Sequence, residues 1–456
     1  MLNYIWLGLI LVAVFMAGSN GQIPEMTTKA FEMCNDAVMK IGLPLVGVMA
    51  LWLGIMRLAE KSGMVQILAR ILRPVMVRLF PDVPAEHPAM GSMLMNMAAN
   101  MLGLANAATP LGIRAMEDLE TLNPRPGTAT NAMCTFLAIN TSSIQLIPVT
   151  VVGVLAVNHS KNASAVIGPS IMSTTVAFIA AIVAVKSLEK LPMFRLAPVT
   201  PSDVHEKKVE IKREKEAEGE ISTVKPLQWW GVLALAIFFL FFAGVLAMWT
   251  GYPKTQSVAD ALHLPNLFNA LPFDASDGMW TRGIKCISAL SIPLLLAFFP
   301  LYAFLRGIKV YEEFVEGAKE GFQIIIRIIP NLVAILVAIA MFRASGGIDM
   351  LTTWLRPVMS ALHFPPELLP MAIIRPLSGS GSFGVFNELV QKYGPDHLFS
   401  RTAGTIYGST ETTFYVLAVY FGAVNIKRAR HAVPAGLVAD IVAIIASVII
   451  CKQVFA

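Results

Sequence analysis

The chain has little charge and few cysteines. Only 14% of its 456 residues are charged, whereas soluble domains carry about 25% charged residues. Hydrophobic residues make up 55% of the chain, and the mean hydropathy is +0.65. This composition excludes an ordinary soluble domain and indicates a polytopic membrane protein. The four cysteines are scattered without a CxxC pair, so the sequence predicts neither a disulfide framework nor a zinc site.

Motifs for catalysis are also lacking. The seven histidines lie in loops or at the ends of apolar segments, and no HExxH, GxSxG or GK[ST] motif occurs. We therefore predict that the protein is not an enzyme and uses no cofactor or resident metal. The net charge of +5 comes from basic residues clustered beside apolar segments, so nucleic acid is not a predicted partner.

Apolar segments recur along the whole chain, and about 20 such residues span a bilayer. Nine are predicted spans: 2–17, 41–56, 146–157, 166–185, 227–250, 287–305, 328–342, 416–424 and 433–450. Two more, 88–108 and 370–385, are interrupted by Gly, Ser, Asn and Pro. Because non-helical backbone within a membrane must be covered by protein or water, we predict re-entrant hairpins or broken helices there.

The basic loops predict an orientation. Cytoplasmic loops carry an excess of Lys and Arg. A cytoplasmic N-terminus places the basic loops 57–78, 186–225 and 425–431 on the cytoplasmic side. We therefore predict a multi-pass protein of the bacterial inner (cytoplasmic) membrane, with residues 186–225 forming a solvated linker or an amphiphilic helix.

The two halves of the chain share an order of features. "LRPVM" occurs at 72–76 and at 355–359, each time between an apolar span and an interrupted segment. Polar-headed spans follow, "NTSSIQLIPVTVVGVL" and "STETTFYVLAVYFGAV", and they align without a gap. The single span 227–250 between the halves turns the second half over. Inverted repeats with discontinuous helices at their interface are typical of secondary transporters.

The predicted fold is therefore an all-α polytopic membrane protein of two inverted-topology repeats, with about nine full spans and two interrupted segments. The first repeat is predicted to cover residues 1–187 and the second 285–456. Residues 188–284 are predicted to form a charged cytoplasmic loop, a linking transmembrane helix and an outer loop.

Both interrupted segments carry candidate binding residues. In the first, Asn96 and Asn100 share a helix face, and Asn106 and Thr109 follow Gly103. Amide side chains donate and accept, which suits a polar solute or a cation. The alternative is helix–helix packing through small and polar residues.

In the second interrupted segment, Ser378, Ser380 and Ser382 alternate with glycines, a pattern that can present backbone amides to a polar group. Arg375 could hold an acidic group. The alternatives are a flexible turn and an arginine that extends to the membrane interface.

The polar heads of the paired spans contain the remaining candidates. Hydroxyl groups there can bond to their own helix backbone, which explains Ser and Thr but not a carboxylate. Glu411 is therefore predicted to couple transport to an ion, the alternative being a structural partner for a buried arginine. The ungapped alignment places Ser142 opposite Glu411. The predicted binding residues of the two heads are Asn140, Thr141, Ser142 and Gln145 in the first half and Ser409, Thr410 and Thr412 in the second.

Several of these motifs resemble a known family. "NMAANMLGLANAATPLGIRAMEDL" and "FLAINTSSIQLIP" resemble spore maturation protein A, and "RPLSGSGSFG" and "GTIYGSTETTFYV" resemble spore maturation protein B. The chain looks like a fusion of the two, within the broader nucleoside-recognition or Gate group. The resemblance implies a membrane protein that moves or gates small solutes, and we carry no nucleoside-binding residue over to a position here.

The predicted function is secondary transport of a small polar solute, nucleoside-like or another metabolite, coupled to H⁺ or Na⁺. The solute site is expected between the interrupted segments and the polar heads. The predicted partners are the solute, the coupling ion and the lipid bilayer, and a homo-oligomer is left open. The alternatives are a membrane scaffold or regulator of envelope or cell-wall assembly and, less favoured because a catalytic constellation is lacking, a membrane-embedded enzyme.

Overall fold

The computed structural model describes residues 2–195, 225–256, 277–347 and 364–455, with isolated positions between these ranges. Most of these residues are helical, so the all-α prediction is confirmed for the described part. The charged core of the 186–225 loop and most of the second "LRPVM" lie outside the described residues.

The helices of the first half are α1 (Leu2–Ser19), α2 (Ile23–Asp36), α3 (Leu45–Lys61), α4 (Met64–Leu79), α5 (Pro88–Leu102), α6 (Ala105–Glu120), α7 (Asn131–Ser142), α8 (Val149–Val157) and α9 (Ile167–Leu188). Those that follow are α10 (Trp229–Thr250), α11 (Met279–Leu305), α12 (Val310–Ala344), α13 (Leu369–Ile374), α14 (Gly379–Tyr393), α15 (Leu398–Ser409), α16 (Thr413–Ala423) and α17 (Ala432–Phe455).

Within the part of the chain that the structure describes, five helical stretches are long and apolar enough to cross a membrane. Together with the composition, they identify a membrane protein. Two of the nine predicted spans, 146–157 and 416–424, are instead short pieces of interrupted helices, α8 and α16. The five stretches are Ile23–Lys61, Ala163–Leu188, α10, α11 and α17.

Two long helices cross in close contact. A π-helical turn joins α2 to α3, and α12 packs against this helix along its length. The predicted spans 41–56 and 328–342 are therefore each part of a longer helical stretch that begins well before the span, Ile23–Lys61 in one case and Val310–Ala344 in the other. Gly317 and Gly321 permit the approach, because a Cβ at Gly321 would lie 2.7 Å from the backbone nitrogen of Ala50. Beside the crossing, Arg57 pairs with Glu313 at 2.8 Å.

The centre of the molecule is a cluster of four helices, two from each half. Helix α7 packs on α9 and on α17, and α15 packs on α17 and on α9. Small polar side chains line the α9–α17 contact, where the Ser173 hydroxyl donates to the Ala443 carbonyl at 3.0 Å and lies 2.8 Å from Ser447 Oγ. Each half therefore contributes one short helix and one long helix to the same core.

Four breaks interrupt the helices near this cluster. Gly103, with φ of 76°, separates α5 from α6, and residues 375–378 separate α13 from α14. Residues 143–148 separate α7 from α8, and residues 410–412 separate α15 from α16. The interrupted segments are thus broken helices.

The polar heads are not the starts of spans, as the sequence predicts, but the ends of α7 and α15 and the breaks that follow. Both helices have 12 residues. Their ends place Ser142 opposite Ser409, whereas the ungapped alignment pairs Ser142 with Glu411. The alignment misses this difference because polar residues mark both the last turn and the break, and composition does not separate the two.

Two loops on one side of the cluster are joined by backbone hydrogen bonds. The amides of Lys427 and Arg428 donate to the Gly127 carbonyl at 2.9 and 3.0 Å, and the Ala129 amide donates to the Arg428 carbonyl at 3.0 Å. The loop between α6 and α7 is therefore fixed to the loop between α16 and α17.

Candidate functional site

The second break, at residues 410–412, touches the end of helix α7 in the first half. The backbone amide of Glu411 donates to the carbonyl of Thr141 at 2.7 Å. This bond satisfies one of the carbonyls that the end of α7 leaves without an intrahelical partner. Next to this contact lies a cavity of about 440 Å³.

Five of the residues predicted from sequence line the cavity: Asn100, Thr109, Asn140, Gln145 and Glu411. The other lining residues are Gly103, Ala108, Ser143, Tyr415, Val416 and Tyr420. The wall is thus built from α5, α6, the end of α7 and the first break in the first half, and from the second break and α16 in the second half. Ser143 adopts a φ of 23°, which directs the chain out of α7 into its break.

Amide side chains form a connected wall on one side of the cavity. The Asn100 amide donates to Asn140 Oδ1 at 3.0 Å, and the Asn140 amide donates to the Phe136 carbonyl at 2.9 Å. Asn96 stands behind this wall, fully buried, and donates to the Ala108 carbonyl at 2.7 Å. Asn96 therefore supports the cavity, whereas Asn100 and Asn140 face it. These hydrogen bonds fix the side chains of Asn100 and Asn140 in the cavity wall.

Each of the two breaks contributes one long polar side chain to the cavity. The first break contributes Gln145 and the second contributes Glu411. The side chain of Glu411 is exposed, and no ion pair involves it among the described residues. The sequence prediction for Glu411 relied on the cost of burying a carboxylate in the membrane. In the structure Glu411 is not buried, and its carboxylate faces a polar cavity instead.

Arg375 and the three serines of the second interrupted segment form a separate group at the start of α14. Arg375 is 3% exposed, and its guanidinium carbon lies 4.5 Å from the centroid of the Tyr407 ring. It donates to Ser382 Oγ at 3.3 Å. Ser378 caps α14 by accepting from the Gly381 amide at 2.9 Å, and Ser380 Oγ lies 3.3 Å from Ser378 Oγ. None of these side chains lines the cavity.

The remaining predicted residues of the polar heads lie around the contact between Glu411 and Thr141. Ser142 and Ser409 are fully buried and donate to carbonyls of their own helices. Thr141, Thr410 and Thr412 are buried, and their hydroxyls have no hydrogen-bond partner among the described residues. The side chain of Asn106 lies outside the described part of the chain.

The sequence reasoning missed Tyr415 and Tyr420 in the wall and Asp440 behind it. Tyr420 is packed against Gly112 of α6, and its hydroxyl donates to Asn140 Oδ1 at 3.4 Å. No polar pattern marks these tyrosines within an apolar segment. Asp440 did carry a signal, because it is a single carboxylate inside the 24-residue apolar helix α17.

Together, the fold and the cavity define a multi-spanning α-helical membrane protein with a polar cavity between broken helices. The chain belongs to the spore maturation protein A and B family and carries the Gate domain. A family model described as nucleoside recognition matches residues 43–158 and 325–427.

Two curated relatives match the chain, both from Bacillus subtilis (strain 168). Spore maturation protein B is 45% identical over 172 residues, which are 38% of this chain and 97% of that protein. Spore maturation protein A is 44% identical over 183 residues, which are 40% of this chain and 93% of that protein. The two matches are consistent with a fusion. No solved structure matches the chain.

Proposed function

We propose that the protein is a secondary transporter of a small polar solute, and that the cavity between the two breaks is its solute site. The observation that carries the proposal is the contact of two interrupted helices, one from each half, beside a polar cavity. Paired discontinuous helices at the interface of two repeats are where secondary transporters bind solute and ion. A Gate match in each half and the description of that family as nucleoside recognition support the same conclusion.

The proposal includes two inverted repeats. It is supported by the reciprocal packing in the central cluster, where α7 crosses α17 and α15 crosses α9. The linking helix α10 also supports inverted repeats, because a single membrane crossing between two similar halves gives the second half the opposite orientation in the membrane. Its large side chains are exposed, as expected for a helix facing lipid. We further propose that the membrane is the bacterial inner membrane, with the N-terminus in the cytoplasm.

Within this proposal, Glu411 meets the solute together with any ion that accompanies it. The amides of Asn100, Asn140 and Gln145 provide neutral donors and acceptors. Glu411 provides the negative charge in the cavity wall. The cavity is therefore suited to a neutral polar solute taken up with a cation, or to a solute that carries a positive charge.

The first experiment identifies the solute. The purified full chain is screened by thermal unfolding with nucleosides, amino acids, dicarboxylates and cell-wall precursors, because a ligand of the folded state raises its stability. A compound that binds is then used for uptake into reconstituted vesicles under proton and Na⁺ gradients. Absence of both binding and flux would favour the scaffold alternative.

The second experiment tests Glu411. Glu411→Gln removes the charge and retains the shape, and we expect solute affinity to fall about tenfold or more with loss of ion dependence. Ser142→Ala is the matched control, because Ser142 does not line the cavity. The double variant Glu411→Gln/Gln145→Glu moves the carboxylate to the other break. It therefore tests whether the position of the charge in the cavity matters for ion dependence. Unchanged ion dependence in Glu411→Gln would refute the coupling role.

A further inference from the structure

A second polar cluster lies behind the cavity, where α17 crosses the break between α15 and α16. Its centre is Asp440, whose side chain is 1% exposed. The Thr413 hydroxyl donates to Asp440 Oδ2 at 2.6 Å, whereas Oδ1 has no partner among the described residues. Gly436 brings α17 against α7 and α16, because a Cβ there would lie 3.3 Å from Thr413 Oγ1 and 3.4 Å from Thr141 Oγ1. Both halves therefore contribute hydroxyls to the surroundings of this carboxylate.

A further hydroxyl beside Gly436 has no hydrogen-bond partner among the described residues. It belongs to Thr141, which is fully buried, and the hydroxyls of Thr410 and Thr412 on either side of Glu411 are likewise buried and unpartnered within the described chain. The carbonyls of residues 406–409, in the last turn of α15, accept no hydrogen bond from a described group outside that helix. The end of a helix leaves its last carbonyls unpaired and attracts positive charge.

No basic side chain neutralises Asp440 by contact. Among the described residues it forms no ion pair, and the charged side chains in electrostatic reach of it are Arg375 and Glu411. Arg375 donates to Ser382 and lies over the ring of Tyr407 instead. A buried carboxylate without a partner is costly, so Asp440 requires a cation or a proton.

We propose that Asp440, together with the hydroxyls of Thr413 and Thr141, forms an occluded Na⁺ site separate from the solute cavity, with the unpaired carbonyls at the end of α15, which packs on α17, as the nearest further source of ligands. A proton on Asp440 would neutralise the carboxylate but leave the other unpaired oxygens as they are. A Na⁺ ion draws on several oxygens at once, and half-helix ends with unwound carbonyls hold Na⁺ in transporters. The site's use in coupling rests on the proposed transport function, whereas Na⁺ binding itself does not.

Direct Na⁺ binding tests the proposal. ²²Na⁺ binding to the purified full chain in detergent is measured by equilibrium dialysis, and thermal unfolding is compared in NaCl and choline chloride at equal ionic strength. We expect saturable binding and a Na⁺-specific rise in unfolding temperature for the wild type. Asp440→Asn should weaken Na⁺ affinity at least about tenfold, since ligand charge sets cation affinity.

Two further variants keep the test decisive. Thr413→Val removes the hydroxyl that holds Asp440 but retains its shape, and it should also weaken Na⁺ binding. Asp396→Asn, the same change at a carboxylate that contacts Ser160, Lys161 and Arg401 instead, should bind Na⁺ as the wild type does. Wild-type affinity in both Asp440→Asn and Thr413→Val would overturn the proposal, as would a wild type without saturable Na⁺ binding, or an equal loss of binding in Asp396→Asn.

The same measurements separate this site from the transport proposal. A wild type that binds Na⁺ but carries no screened solute across vesicles would retain the ion site and remove the transport function. A wild type that carries a solute across vesicles but binds no Na⁺ would retain the transport function and remove the ion site.

Discussion

The two breaks follow helices of equal length but differ in extent and in charge. The first has six residues, 143–148, and the second has three, 410–412. Each places one long polar side chain in the same cavity, neutral Gln145 in one case and anionic Glu411 in the other. Ser142, which the alignment pairs with Glu411, is instead the last residue of its helix and fully buried. The asymmetry between the halves therefore lies in the breaks, where a side chain can turn into the cavity.

The difference between a buried helix end and an exposed break can be tested by placing a carboxylate at the end of α7. Ser142→Glu puts a charge at a position without exposure, and we expect destabilisation of about 3–5 kcal/mol, the usual cost of an uncompensated buried charge. Thermal unfolding and the folded fraction in size-exclusion chromatography measure it. Ser142→Ala should cost only about 1 kcal/mol, the value of one hydrogen bond. Equal stability of these variants would mean that Ser142, like Glu411, reaches the cavity.

The contact between the halves across the cavity can be tested at Gly112. A Cβ at this position would lie 2.3 Å from the Tyr420 hydroxyl, so the ring must move. We expect Gly112→Ala to cost about 1–3 kcal/mol by overpacking and to weaken binding of a cavity solute. Gly91→Ala is the matched control, because no atom lies within 4 Å of its Cβ position. If both variants unfold at the wild-type temperature, Tyr420 does not pack on α6.

The smallest predicted effect concerns a connection between the halves outside the membrane-spanning helices. Asp396 accepts from Ser160 Oγ at 2.7 Å, from the Lys161 amide at 3.0 Å and from Arg401 Nη2 at 2.9 Å. Burial raises the pKa of Asp396, but these hydrogen bonds and the arginine charge outweigh it and hold the pKa below the ordinary value of 3.8.

A carboxyl group whose pKa is lowered by folding stabilises the folded state when the pH is above the ordinary pKa of that group. This contribution is lost as the pH falls through the pKa of the folded state. Wild type should therefore unfold at a higher temperature than Asp396→Asn at pH 6, by a difference worth about 1 kcal/mol or less. The difference should shrink as the pH falls below about 4. A difference that is constant across this range would show that proton binding at Asp396 does not act through these contacts.

Part of this architecture could be predicted from the sequence. Hydropathy predicts the apolar helices, and Gly103 together with the serine–glycine alternation near Ser380 predicts broken helices. Five of the sequence candidates line one cavity because polar residues inside apolar segments are costly unless they face one another or water. These signals are local, so a single sequence contains them.

The remaining features depend on three-dimensional packing. The ends of α7 and α15 meet where the Glu411 amide donates to the carbonyl of Thr141, which belongs to the other half. The place of Tyr420 depends on the space above Gly112, and the surroundings of Asp440 depend on the crossing of α17 at Gly436. No window of sequence contains both partners of such contacts.

The backbone pairing between residues 127–129 and 427–428 joins the two halves of the chain at one point. It links the loop between α6 and α7 to the loop between α16 and α17, so its three hydrogen bonds must break before these loops can separate. A displacement of one half relative to the other that keeps these bonds would therefore be smallest here and would increase with distance from the pairing.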